Sequence, residues 1–478
     1  MDIIYDLVIV GGGPAGLALA TYCSKMNKKI IIIEKEDDIG GCHRVRRIKH
    51  NNELIFTEHG PRIYSSSYLN LISLLKEMNV DFYDLFTPYN FTMSAIGGET
   101  LWSTLTNKEL FYLFIEFVYL ILNDSHGQNI SMNDFTSKNN FKTTSIDMID
   151  KLCRLTDGAD INRYTLNEFL NLFNQQSLYN IYQPKLPNDI GLFNIWKTYL
   201  INNNVTFLLS SNVDKLILNE SNEIKSVNVN GELNIKGKQF IIATPPLNLV
   251  KILQSSDNLN AFGDIDAWSQ KTAYIDYLSI TFHWDKKLNL PKVYGFPKSE
   301  WGIAYIVLTD YMKFNEQSSQ TVISIAITIT DKPNHLNKTA NQCSKDELIN
   351  EVYNQLLYSY PNLPLPTLSI LSPGVQYDSI NKKWVSYDTA YISSSLDQTK
   401  LPFNSNTINN LYNLGTHNGK SKYSFTSMEA AVSNALELSY ILYPELKNVY
   451  PYKYGYTIRS IILMISFILI IFLIYRNY

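Results

Sequence analysis

The run Asp6-Leu7-Val8-Ile9-Val10-Gly11-Gly12-Gly13-Pro14-Ala15-Gly16-Leu17 decides the fold of this chain. It passes from an apolar strand into Gly-x-Gly-x-x-Gly, formed by Gly11, Gly13 and Gly16, and on into the small-residue helix start Leu17-Ala18-Leu19-Ala20. Each glycine has its own physical task. Gly11 permits a tight turn, Gly13 lets the backbone approach a pyrophosphate, and Gly16 lets helix and strand pack closely. Pro14 and Ala15 open the helix, whose free N–H groups and positive dipole end suit phosphate. A second apolar strand, Ile30-Ile31-Ile32-Ile33, ends at Glu34, 18 residues beyond Gly16, where a carboxylate can accept both ribose hydroxyls. Together these features predict a Rossmann-type dinucleotide-binding unit built on a parallel sheet.

The residues beyond Glu34 narrow the dinucleotide. Asp38-Ile39-Gly40-Gly41 comes next, then Arg44, then Glu58-His59-Gly60-Pro61-Arg62. Here the chain resembles the flavin-containing amine oxidase and protoporphyrinogen oxidase superfamily. Three later segments extend the likeness in the same order. Val205 to Ile217 resembles the family strand whose valine, Val213 here, meets the adenine end. Ile241-Ile242-Ala243-Thr244-Pro245-Pro246 resembles the strand and turn that return the chain to the cofactor domain. Leu411 to Leu436 resembles the closing flavin motif, with Gly415-Thr416 ahead of a helix that begins Met428-Glu429. The resemblance implies FAD, with Gly11, Gly13, Pro14, Ala15 and Gly16 on its pyrophosphate and Glu34 on its ribose. It also implies that Gly40, Gly41, Arg44, Gly60, Pro61 and Arg62 line the other side of the flavin. Met428 then begins a helix whose dipole stabilises charge at flavin N1 and O2.

The departures from that pattern bear on the reaction. Monoamine-type members place a tyrosine directly before the Met-Glu of the last helix; Ser427 stands there in this chain. They also carry a lysine on a substrate-domain strand, and the corresponding run Tyr277 to Trp284 has none. Gly415 to Phe425 holds no cysteine, so non-covalent FAD is expected. Cys42 replaces the usual arginine after Gly-Gly, which leaves Arg44 to serve the pyrophosphate. The resemblance therefore implies hydride transfer from a small or hydrophobic substrate to flavin N5, without fixing the reaction. Two alternatives stay open: a flavin-dependent isomerase of the UDP-galactopyranose mutase type, and a membrane protein with structural FAD. His417 and Tyr423 are the candidate catalytic residues, with Tyr391 and Phe425 as further aromatic walls.

The remaining composition agrees. A chain of 478 residues is long enough for two intertwined domains. With 41 basic and 44 acidic side chains of mixed order, no nucleic-acid surface is implied. The seven histidines and four cysteines fall at no metal-ligand spacing, and Cys23, Cys42, Cys153 and Cys343 suggest no disulfide framework.

The segments divide into a discontinuous FAD-binding domain over 1–75, 183–253 and 384–443. An α+β substrate domain over 76–182 and 254–383 interleaves with it. Within it Leu110 to Leu122, with Asn107 as cap, reads as a buried helix; a patch admitting substrate from lipid is the sharper reading. Tyr277 to Trp284 and Thr321 to Thr330 alternate like strands with one covered face, and Asp346 to Tyr358 like an amphipathic helix. Residues 444–457 read as a linker, and 458–475 as a transmembrane tail anchor. Its apolar run needs snorkelling Arg459 and Arg476 to reach the roughly 20 residues of a bilayer span. Lys447, Lys453 and Arg459 against Arg476 alone place the enzyme domain on the cytosolic side.

Overall fold

The computed structural model describes residues 3–60, 62–89, 100–257, 260–290, 299–358, 360–387, 389–392, 396, 400–419, 421, 423 and 426–477. Pro61 and Phe425 lie outside them.

The central sheet has seven strands. Val205–Leu208, Ile30–Ile33, Ile4–Val10 and Leu233–Ile242 run parallel in that order, and Ile224–Val229 and Val213–Leu218 continue it as an antiparallel meander. Leu411–Asn413 joins the free half of Leu233–Ile242 in parallel, pairing Phe240 with Leu411. All four isoleucines of Ile30–Ile33 are buried, as expected when both faces of a parallel sheet are covered. One face is covered by helix Pro14–Ser24, the other by Pro246–Ser255. Val205 to Ile217, read as one strand, is two strands that pair on opposite edges of the sheet. Ser210 sits in the intervening turn with φ +50°, which breaks the ladder.

Helix Pro14–Ser24 is buried from Ala15 onward because small residues let the closing helix Met428–Leu442 pack against it. Trp196 Nε1 donates to Thr21 Oγ1 at 2.8 Å. The Glu429 carboxylate accepts from the Asn70 and Leu71 N–H groups, each at 2.9 Å, and so caps helix Leu69–Glu77 from a distant segment. A carboxylate suits that end of the dipole.

Two further bodies complete the molecule. One is helical, with Asn107–Leu122, Met132–Lys138, Thr143–Asp157 and Leu166–Gln176 around a core that includes Phe135, Ile149, Tyr164 and Phe169. The other is a four-stranded antiparallel sheet ordered Ala304–Val307, Thr321–Ile327, Leu278–Trp284, Leu368–Leu371, backed by helix Lys345–Leu357 through Leu348, Val352 and Leu356. The expectation of one covered face fails here, since every residue of Leu278–Trp284 and Thr321–Ile327 is buried. The second face meets the two-stranded ribbon Val45–His50/Glu53–Glu58, where Thr57 and Thr281 hydroxyls lie 3.0 Å apart.

Helix Asn107–Leu122 also differs from expectation. Its cap is Thr106, in a reciprocal capping box with Glu109, because Asn107 is already helical. Nor is it a buried helix: Phe111, Phe114, Tyr119 and Leu122 are exposed. Residues 444–457 are no free linker. Tyr450 packs on Tyr22 with centroids 5.1 Å apart, and Lys453 N–H donates to Asn70 Oδ1 at 2.8 Å. Ile458–Asn477 is a single helix, and the stretch Ile458–Arg476 is long and apolar enough to cross a membrane, with a mean hydropathy of 2.6 and no part buried in the fold.

Candidate cofactor and substrate site

The glycine loop is tight at Gly11 and Gly16 and open at Gly13. Gly11 has φ +114°, and a Cβ there would meet the Ala243 carbonyl oxygen at 2.5 Å. At Gly16 a Cβ would fall 2.2 Å from the Gly11 carbonyl oxygen, so that contact between helix and turn tolerates no side chain. Gly13 is different, since a Cβ would find only the Gly41 Cα, at 3.7 Å. Open space therefore lies directly above the start of helix Pro14–Ser24. The Gly-Gly turn is strapped to the loop by the Gly40 N–H donating to Gly12 O at 2.9 Å.

Glu34 is buried at the end of its strand. Its carboxylate accepts from Gly12 N–H at 2.7 Å and from Glu36 N–H at 3.1 Å. Arg44 lies 3.6 Å from Glu34 and 3.9 Å from Glu36, so its guanidinium is paired with these two carboxylates. The turn before Val213 joins the same corner, with Ser211 N–H donating to the Glu34 carbonyl at 2.9 Å and Val213 buried behind it.

A cavity of about 760 Å³ runs from the start of helix Pro14–Ser24 to the helical body and the strand start at Tyr277. Gly13, Pro14, Ala15 and Gly41 line one part; Gly60, Arg62, Gly415, His417 and Met428 line another. Gly11, Gly16, Glu34, Gly40, Arg44, Val213 and Tyr423 are not among its lining residues. The Arg62 guanidinium donates to the Cys42 carbonyl, holding the Gly-Gly turn against the ribbon that succeeds it. Ser427 caps the closing helix by accepting from Ala430 N–H at 3.0 Å, so the helix start at Met428 sits in the cavity wall.

Neither candidate catalytic side chain is poised for proton transfer. His417 Nε2 lies 2.9 Å from Asn413 Oδ1, which also accepts from Asn418 Nδ2 at 2.8 Å and therefore takes the imidazole N–H. Burial, with help from Lys400, pushes the imidazole down to about 3, which keeps it neutral. The Tyr423 hydroxyl is held by Ser67 and by Gln176 Nε2, the latter at 2.6 Å, and burial raises it well above the usual tyrosine range. Tyr391 does line the cavity, edge-on to His417 with centroids 5.8 Å apart.

Sequence reasoning passes over two side chains. His43, two residues past the Gly-Gly turn, lines the cavity with a buried Nδ1 that has no hydrogen-bond partner. Burial and the nearby Arg62 hold it well below the usual histidine range. Its position after Gly40-Gly41 is the available signal. Tyr277, which also lines the cavity, stacks on His59 with 9° between the planes; a lone tyrosine ahead of a strand gives no warning of that. Among the described residues no three His, Cys, Asp or Glu are placed to hold a metal ion.

Solved structures share this arrangement over nearly the whole chain. A triple mutant of putrescine oxidase superposes with a TM-score of 0.65 at 15% identity, covering 93% of this chain and 100% of its own. The fold is that of the amine oxidases. Cyclohexylamine oxidase from Brevibacterium oxydans gives a TM-score of 0.61 at 12% identity, over 93% of this chain and 100% of that one. Within this amine-oxidase fold, residues 9–78 match the NAD(P)-binding Rossmann-like domain family. The curated relatives match over short stretches, and the chain spans about a fifth or less of their length. The UDP-galactopyranose mutase of Mycoplasma genitalium is 35% identical over 79 residues, 16% of this chain and 19% of the mutase. The thioredoxin reductase of Ureaplasma parvum is 54% identical over 33 residues, 7% of this chain and 11% of the reductase.

Proposed function

We propose that the chain is an FAD-dependent oxidoreductase acting on a small or hydrophobic substrate, with its flavin bound non-covalently. The observation that carries this is the cavity that starts at the open space over Gly13 and ends against Gly415 and Met428. Its size falls within the roughly 300–1,000 Å³ of small-molecule sites. The donor set fits a dinucleotide. Helix Pro14–Ser24 offers N–H groups to a pyrophosphate, and the orphaned Thr244 Oγ1 and His43 Nδ1 are buried polar atoms in the wall that lack a partner within the protein. FAD, when bound, supplies N5 as the hydride acceptor.

The protein's own part is then to orient and to exclude water. Met428 presents the positive end of the closing helix to negative charge. Tyr391 and Tyr277 wall the substrate side, and the neutral His417 holds the Gly415 turn through Asn413. An interleaved division of the chain suits these roles. The nucleotide end is built from 1–75, 183–253 and 384–443, the last of which also lends Tyr391 to the substrate side, and the other substrate walls from 76–182 and 254–383. Helix Ile458–Asn477 is proposed to anchor the enzyme in a membrane as a single span, with the domain on the cytosolic side.

Purified protein should be yellow, and acid precipitation should leave FAD in the supernatant. A colourless protein, bound NAD, or colour that stays with the pellet overturns the reading. The 79-residue likeness to a mutase favours a second reading, flavin-dependent isomerisation. Reduced enzyme mixed with oxygen separates the two, since an oxidase reoxidises quickly and a mutase has no need to.

A further inference from the structure

Two helices of the helical body end at the cavity, and each hands a side chain to the segment that leads into the closing helix. Gln176, the last residue of Leu166–Gln176, donates through Nε2 to the Tyr423 hydroxyl at 2.6 Å. Asp157, the last residue of Thr143–Asp157, accepts through Oδ1 from the Thr426 backbone N–H at 2.7 Å. The Thr426 hydroxyl in turn donates to the Tyr391 carbonyl at 3.0 Å. Thr426, Ser427 and Met428 are consecutive in the cavity wall, and Tyr391 lines it too.

Asp157 holds this post against its surroundings. It is fully buried, and a buried carboxylate destabilises the fold unless its partners offset the lost hydration. It sits at the negative end of its helix, where a cation is favoured. Its charge also faces Glu168, whose carboxyl is pushed up to about 7 by burial first and by Asp157 as well. Lys400, from the stretch that leads to Leu411–Asn413, faces both carboxylates and offsets part of this. An amide of the same shape would avoid each of these costs.

The backbone here is fixed as well. Gly158 ends the helix with φ +74°, and a Cβ there would meet Ile275 Cγ1 at 2.6 Å. Ile275 belongs to the short strand that pairs Tyr274 with Tyr391. The helix end therefore abuts the strand whose partner carries Tyr391, and Asp157 ties that same end to Thr426.

We propose that Asp157 is a positioning residue: through Thr426 it sets the Tyr391 wall and the start of the closing helix at Met428. Its charge strengthens the bond to the Thr426 N–H, so the helical body and the closing helix keep one relative placement. The bearing on flavin rests on the FAD enzyme proposed above, since a helix start held in place keeps its positive dipole end toward the reduced cofactor.

Trp268 reports on the wall without any flavin. Its ring centroid lies 6.3 Å from that of Tyr391 and 6.2 Å from that of His417. In full-length protein carrying 5-fluorotryptophan, the Trp268 fluorine resonance is assigned by its loss in Trp268→Phe. Asp157→Ala should shift that resonance while those of Trp284 and Trp301, in the core of the sheet body, stay in place. Asp157→Asn keeps an acceptor for Thr426 and should stay near the wild-type position. In the flavin-loaded protein the midpoint potential of Asp157→Ala should fall below wild type, and that of Asp157→Asn should not. Loss of a negative charge alone would raise both, which separates positioning from electrostatics. If Asp157→Ala leaves either the resonance or the potential at its wild-type value, or if Asp157→Asn matches it in both, the proposal is overturned. Should Asp157→Ala not fold, Thr426→Val decides, since it removes the hydroxyl bond to Tyr391; an unmoved Trp268 resonance then overturns the proposal. A colourless wild type removes the FAD reading alone, because the Trp268 resonance decides the positioning role without flavin.

Discussion

At Gly13 and Gly16 two glycines of one motif carry opposite consequences. Gly16 has no room for a methyl group, as its would-be Cβ sits 2.2 Å from backbone. Gly16→Ala should therefore disrupt the turn itself and give little folded protein. Gly13 has extended backbone, with φ −81° and ψ 176°, and free space above it. Gly13→Val should fold with a melting temperature close to that of the flavin-free wild type, yet lose flavin absorbance. Circular dichroism and visible spectra on both variants check the pair, and a yellow Gly13→Val would remove the pyrophosphate from this loop. Glu34 belongs with them. Hydrogen bonds to a charged group contribute about 1.5–3 kcal/mol each, and its carboxylate accepts one from Gly12 in the loop and one from Glu36. Glu34→Ala should lower stability by that order as well as weaken FAD, measurable as separate shifts in denaturant midpoint and flavin affinity.

Elements near the N-terminus are legible in the sequence because their signals are local. The Ile4–Val10 strand, the glycine turn, the helix and Glu34 are contiguous, and each residue's role is set by its neighbours in sequence. The last helix is legible through Met428-Glu429, but not what Glu429 does, since its partners Asn70 and Leu71 are more than 350 residues away. The outward face of Asn107–Leu122 escapes a sequence reading for a related reason: an apolar helix implies cover, and sequence cannot say whether protein or lipid provides it. Glu429 also carries a pH dependence. Burial raises its carboxyl to about 7, against the pull of the Asn70 and Leu71 N–H groups. Its folded value lies above the unfolded one near 4.5, so the folded state holds the proton longer. Its contribution to stability is full below about pH 4.5 and is lost as pH rises toward 7. Glu58 and Glu168 are raised in the same way and add to the slope. The melting temperature should fall between pH 5 and pH 8, and Glu429→Gln should fall less over that interval. Equal slopes would place the titration elsewhere.

For the whole molecule, the tail divides at a definite point. Cutting after Tyr456 keeps Leu446, Tyr450 and the Lys453 bond to Asn70, so the truncated protein should leave the membrane and stay yellow. A cut after Tyr443 removes two large buried side chains worth roughly 3–6 kcal/mol together, a large share of a typical 5–15 kcal/mol. That form should aggregate or lose flavin; equal melting temperatures for the two truncations would show residues 444–456 to be dispensable. The parallel sheet has a further consequence, in how the chain reaches its native state. Ile30–Ile33 pairs with Val205–Leu208, and Leu233–Ile242 with Leu411–Asn413. Each pairing must close a loop of well over a hundred residues, and such distant closures are slow beside the local contacts of helices. During refolding the helical body should regain its far-ultraviolet signal first, while the cradle between those strands assembles last. Free FAD captures that late closure, and so should raise the final yield of native protein without hastening the early phase.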